Sequence, residues 1–99
     1  MKISDILSPD VIEVNLQAAD KDDSIRKIIE ISSKSGRILD INKVTDTIFE
    51  RERLVSTGVV KGFAIPHGKT DAISDIVAAF IITKDPIDFD SIDGEPVRF

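Results

Sequence analysis

Apolar residues in this chain pass from strand-like to helical spacing and back. Val11-Ile12-Glu13-Val14, a mostly β-branched run after the Ser8-Pro9-Asp10 turn, predicts a first strand. Asp20 can then cap a helix, with Asp22 and Asp23 in its positively polarised first turn and Ile25, Ile28 and Ile29 at helical spacing. Gly36 supplies a left-handed stop, so this helix is expected from about Lys21 to Ser35. A second helix is expected from near Asn42 to near Leu54. There Val44, Ile48 and Phe49 share a face, while Lys43, Asp46, Glu50 and Arg53 lie mostly away from it.

The turn signal Ser56-Thr57-Gly58 follows, then Val59-Val60, Gly62 and Phe63-Ala64-Ile65, a short strand stopped by Pro66. The run Ile76 to Ile82 has no polar alternation, which is the pattern of a central strand covered on both faces. The resulting β-α-α-β-β order predicts an α/β fold, a mixed β-sheet with helices packed against it. After the Asp93-Gly94 turn, Val97-Arg98-Phe99 begins another alternating strand where the chain stops. This predicts a fragment, or a strand completed from outside, with an exposed edge through which the chain would form a homo-oligomer.

Composition narrows the function classes. The 99 residues are 41% hydrophobic and 31% charged, ordinary for one small globular domain. With no cysteine there is no thiolate nucleophile, no disulfide and no cysteine-based metal site, in keeping with a reducing compartment. An acidic N-terminal stretch at Ser4-Asp5 argues against a secretory signal, and the seven-residue run at 76–82 is too short to span a bilayer as a helix. A soluble, cytoplasmic protein without direct membrane insertion is expected. The net charge of -5 disfavours binding to nucleic acid, leaving a neutral-to-basic protein as the better-matched partner.

The candidate chemistry centres on the chain's only histidine, His67, in Gly62-Phe63-Ala64-Ile65-Pro66-His67-Gly68-Lys69. Pro66 fixes the exit from the strand, and Gly68 would let the backbone approach a ligand closely. A neutral imidazole is a competent nucleophile, backbone N–H groups of the following turn could hold a phosphoryl group, and Lys69 could add positive charge. The bland reading is a surface or capping histidine, and spacing alone does not overturn it. For Arg51 and Arg53, at the end of the second helix, the local reading is a complement to the helix dipole. The functional one is a guanidinium that reaches across to His67 and holds phosphoryl oxygens in bidentate fashion.

Other sites are poorly supported. No nucleophile-elbow pattern surrounds any serine. One histidine and no cysteine leave only carboxylates for a metal, so no metal is expected. The segment Asp88 to Glu95 has the look of a calcium loop, but Ile92 stands at a ligand position and the terminal glutamate is misplaced; an acidic turn between strands is the better reading.

The string Arg51-Glu52-Arg53-Leu54-Val55-Ser56-Thr57-Gly58, followed by Gly62 to Lys69 and by Pro86 to Val97, resembles the fructose/mannitol-type enzyme IIA domain of the bacterial sugar phosphotransferase system, including its nitrogen-regulatory relatives. The resemblance runs over essentially the whole chain. It implies the type-2 enzyme IIA fold and a phosphotransferase with a phosphohistidine intermediate. On that reading His67 accepts the phosphoryl group of the HPr phosphocarrier and passes it to a cysteine of a IIB domain, and Arg51 steadies the phosphoryl charge. Thr57, Gly58, Gly68 and Lys69 are the matching candidate binding positions, and no cofactor is implied. With no cysteine here, the IIB step falls to another polypeptide or another part of this one. The nitrogen-regulatory branch is the alternative, with phosphorylation of His67 switching protein binding.

Two departures accompany the likeness. Val60 stands where family members usually have glycine, so the loop before the histidine strand is expected to fit less closely. Complete domains of this type continue for roughly another fifty residues, in line with ordinary domain sizes. Residues 1–99 thus correspond to the N-terminal two-thirds of such a domain, without its second active-site histidine.

Overall fold

Asp20 starts the first helix as its sequence position predicts. Its carboxylate accepts a hydrogen bond from the Asp23 amide at 2.8 Å, and the Asp23 carboxylate reaches back to the Ala19 amide at 2.8 Å. These two bonds satisfy donors that a helix N-terminus otherwise leaves open. In the computed structural model, which describes residues 2–59 and 61–99, this helix, α1, runs Lys21–Ser32. Its last turn tightens into a 3-10 segment, Ser33–Ser35, and Gly36 closes it at φ 74°. The regular helix is therefore shorter than predicted while the glycine stop holds. Helix α2, Ile41–Leu54, begins under a second aspartate cap, Asp40, which accepts from the Asn42 and Lys43 amides at 3.1 and 3.2 Å.

Strand β1, Ile12–Leu16, lies parallel to β2, Phe80–Thr83, with Ile12 opposite Phe80 and Glu13 opposite Ile81. The register breaks between Glu13 and Leu16, where Asn15 takes φ 60°. A left-handed residue at a bulge bends the strand locally. The fold is α/β. Its regular sheet is parallel, and antiparallel pairing occurs as isolated bridges, Ile38 with Ile73, Gly58 with Ala64 and Ile87 with Val97.

Two apolar clusters flank α1. Ile25 and Ile29 meet Val44 of α2 together with Ala72, Ile87, Phe89 and Val97. Ile31 faces the other way, onto Val11 and Ile81 beside the sheet. One helix with two buried stripes thus joins the α2 layer to the strand layer. No helix among the described residues is long and apolar enough to cross a membrane.

Three strand expectations need correction. The run 76–82 is not a strand covered on both faces. Only its last part enters β2, which among the described residues forms a sheet with β1 alone and leaves Phe80 exposed, while Val77 to Ala79 line a recess beside His67. An unbroken apolar run signals burial without saying against what. Among the described residues, Val59 and Lys61 to Ile65 form no regular strand either; Lys61 and Gly62 turn at φ 55° and 83°, and Val59 N–H bonds Phe63 O at 2.9 Å and Ile65 N–H bonds Thr57 O at 3.0 Å. Val60, the departure from the family pattern, lies outside the described residues.

The predicted edge at Val97 to Phe99 is not free. Val97 exchanges both backbone bonds with Ile87, the Arg98 amide donates to Gly62 O and its carbonyl accepts from Thr83, and Phe99 bonds Gly62 and Ala64. With these backbone groups paired internally, this segment offers no open ladder to a second copy, and association through it loses its physical basis.

Candidate functional site

The histidine loop rests on the middle of α2. A Cβ added at Gly68 would stand 2.8 Å from Thr47 Cγ2 and 3.5 Å from Ile48 Cγ1. Glycine is therefore required by the approach of the loop to the helix, a different closeness from the ligand approach predicted for it. His67 itself is exposed. Its Nδ1 lies 2.7 Å from the Ile65 carbonyl oxygen. A carbonyl can only accept, so this contact places a ring proton on Nδ1, and in the neutral ring Nε2 is then the nitrogen that carries the lone pair.

Beside the ring opens a recess of about 320 Å³, floored by Ile28 and Ile29 of α1, Ile48 of α2, and Val77 and Ala79. Its walls are mostly apolar. Lys69 is exposed next in sequence to the turn that carries the ring.

Arg51 follows Thr47 and Ile48 at spacings of four and three, so it continues the helix face that Gly68 touches, one turn nearer the C-terminus. Its side chain is half-buried, and Nη1 donates to the Val55 carbonyl at 3.0 Å. That bond satisfies one of the open carbonyls at the helix end, so the local role of Arg51 is real. No hydrogen bond joins Arg51 to His67 among the described residues. Arg53 faces elsewhere, lining a polar recess with Arg26, Asp46 and Asp90.

Thr57 and Gly58, named as binding positions by the resemblance, point inward. Thr57 is 4% exposed, and its amide and hydroxyl donate to Glu52 at 2.9 and 2.6 Å. Gly58 is packed by the loop that follows β2, where an added Cβ would meet Ser91 Oγ at 2.4 Å. Both residues are packed as scaffold in this structure.

Glu52 is what sequence reasoning passed over. It is 6% exposed, accepts both Thr57 bonds and pairs with the Lys21 ammonium at 3.0 Å. Burial alone would raise its carboxyl; the Thr57 hydroxyl and amide and the Lys21 ammonium outweigh this and hold it below the ordinary value. The available signal was a charged residue between two arginines at the end of an amphipathic helix, which looks like surface. Ser91, packed against Gly58, carries a buried hydroxyl with no hydrogen-bond partner among the described residues.

In the acidic turn, Asp88 accepts from the Asp90 amide, and Asp93 from the Glu95 and Lys61 amides. The carboxylates are engaged by backbone, as a turn requires. Among the described residues no group of three or more histidine, cysteine or acidic side chains is arranged to hold a metal ion.

Residues 5–99 match the family described as "Phosphoenolpyruvate-dependent sugar phosphotransferase system, EIIA 2". A fructose-specific EIIA component from Haloferax volcanii is 35% identical over 97% of this chain and 62% of its own length. A nitrogen regulatory protein from Bradyrhizobium diazoefficiens is 34% identical over 98% of this chain and 63% of its own. The crystal structure of nitrogen regulatory protein IIA-Ntr from Neisseria meningitidis superposes with a TM-score of 0.86 at 33% identity, over 97% of this chain and 65% of that one. This chain thus spans somewhat less than two thirds of these relatives.

Proposed function

The chain belongs to the EIIA 2 family of the phosphoenolpyruvate-dependent sugar phosphotransferase system, and on that premise we propose that it is a phosphoryl carrier working through Nε2 of His67. The observation that carries this reading is the exposed ring with Nδ1 tied to the Ile65 carbonyl. Nε2 attacks the phosphorus held on the histidine of an HPr-like carrier; a new N–P bond forms, the old one breaks, and the donor imidazole leaves with its electron pair. A IIB cysteine thiolate then takes the group from His67, forming an S–P bond and restoring the free imidazole. The fructose-specific relative supports a role in sugar uptake.

Phosphoryl transfer demands positioning and charge compensation above all. Arg51 is the proposed charge partner because it shares the helix face of the Gly68 contact. Its bond to Val55 anchors the guanidinium through Nη1, and Nε and Nη2, without partners among the described residues, are the proposed donors to phosphoryl oxygens. The backbone of Gly68 and the ammonium of Lys69 are the proposed further contacts.

The test is incubation with phosphoenolpyruvate, enzyme I and HPr, followed by intact mass measurement. One acid-labile, base-stable phosphate is expected, and His67→Ala should abolish it; a label that persists in this variant rules His67 out. The structural likeness to IIA-Ntr favours a second reading, a regulatory protein whose partners sense the phosphorylation of His67. Mixing the phosphorylated chain with a fructose-type IIB domain separates the two. Transfer to the IIB cysteine supports uptake, and retention on His67 supports regulation.

A further inference from the structure

A continuous series of hydrogen bonds leads from the interior of α2 to the nucleophilic ring. Both carboxylate oxygens of Glu52 hold Thr57, through its amide at 2.9 Å and its hydroxyl at 2.6 Å. The Thr57 carbonyl accepts from the Ile65 amide at 3.0 Å. The Ile65 carbonyl in turn receives the Nδ1 proton of His67 at 2.7 Å. The two ends of this series differ sharply in environment: Glu52 and Thr57 are 6% and 4% exposed, whereas the Ile65 side chain and His67 stand at the surface. Exposed loops are mobile unless their backbone is tied to something rigid, and here the tie is a buried carboxylate on a helix. Lys21, at the start of α1, pairs with the same carboxylate at 3.0 Å, so the anchor is held from two helices.

We propose that Glu52 is a positioning residue for phosphoryl transfer, holding Thr57 so that Ile65 presents its carbonyl to Nδ1 and His67 keeps its Nε2 lone pair outward. A carboxylate suits this place better than an amide or a hydroxyl. It accepts two bonds from one residue and an ammonium at once, so both oxygens face donors. Ionised and paired, it has no proton to offer the chain, so its effect on the ring is geometric. Glu52 touches neither the ring nor the recess beside it, and acts through Thr57 and Ile65.

The inference rests on the carrier reading for its consequence in rate, but its structural part is tested without any phosphoryl donor. At a pH where the ring is neutral, the nitrogen-15 spectrum of His67 in the unphosphorylated protein should show the ring proton on Nδ1. In Glu52→Ala that pattern should give way to a mixture of the two ring tautomers, and phosphoryl acceptance from phospho-HPr should slow about tenfold to a hundredfold, the usual cost of a nucleophile held out of position. Glu52→Gln, whose amide can still hold Thr57 at two points, should recover most of both properties. A purely structural Glu52 would lower stability and leave the ring nitrogens of the folded molecules unchanged.

If Glu52→Ala does not fold, Thr57→Val carries the test. It removes only the hydroxyl arm and should produce an intermediate loss in both measurements. Wild-type ring nitrogens in a folded Glu52→Ala, or in Thr57→Val, overturn the proposal. If the wild-type chain accepts no phosphate, the carrier reading fails while the nitrogen spectra still decide whether Glu52 orients the ring.

Discussion

Gly68 and Arg51 each hold their place through one close contact, to Thr47 and to the Val55 carbonyl. Gly68 is placed by contact with Thr47, so Gly68→Ala should push the histidine loop off α2 and cost about 1–3 kcal/mol, the usual range for overpacking. Removing the offending methyl in the Thr47→Ser background should return part of that loss, which a double-mutant cycle from urea denaturation would measure. Arg51 has a local role as well as the proposed one. Its bond to Val55 lies on the exposed side of the helix end, so Arg51→Ala should cost less than about 1 kcal/mol in stability. Its phosphoryl-transfer rate should fall about a hundredfold. Comparable fractional losses in the two measurements would return Arg51 to a capping role alone.

At the scale of elements, both helix starts and the α1 stop follow from local chemistry. Asp20 and Asp40 accept bonds from amides two or three residues on at the first turns of α1 and α2, and Gly36 turns left-handed directly after the last turn of α1. The strands do not follow in the same way, because a strand's partner lies far along the chain and the pattern does not name it. Glu52 belongs to the same class of long-range fact. Its carboxyl is depressed in the folded protein, so the folded form binds fewer protons than the unfolded form in the acid range. The stability it contributes is complete above the ordinary carboxylate value and is lost as pH falls through its folded value. Denaturation midpoints from about pH 7 to pH 3 should therefore decline, with a shallower decline in Glu52→Gln. Lys21 faces this carboxylate at 3.0 Å and also approaches Asp90 at 3.9 Å, so Asp90→Asn serves as the control for the outer, exposed half of the cluster. Asp23 and Asp71 are depressed too, the first chiefly by the Ala19 amide and the second by Lys43, but the first is only partly covered and the second exposed, so both should add little to the slope.

Across the whole molecule, stability depends on α1 being buried on two sides. Ile25 is fully buried in the cluster shared with α2, and Ile31 anchors the cluster shared with the sheet. Ile25→Ala should cost about 2–5 kcal/mol, a large part of what a small domain has, and thermal unfolding should occur far below wild type. Ile3→Ala, at a 75% exposed position, should change stability by less than about 0.5 kcal/mol. The same packing opens the apolar recess beside His67, since Val77 to Ala79 leave the sheet line before β2 begins.

Taken alone, the sequence determined the α/β class, the Asp20 cap and glycine stop that bound the first helix, and the histidine loop that marks the family. Each rests on short-range periodicity, capping chemistry or a contiguous motif, and local interactions of this kind need no knowledge of the partner. Tertiary structure decided the rest. It turned Thr57 inward onto Glu52, used Gly68 to meet α2, occupied the edge at Val97 to Phe99, and split the run 76–82 between a recess and a strand. In every one of these cases the deciding atom belongs to a residue elsewhere in the chain, and the cost of leaving a buried polar group unpaired or a void unfilled selects the arrangement.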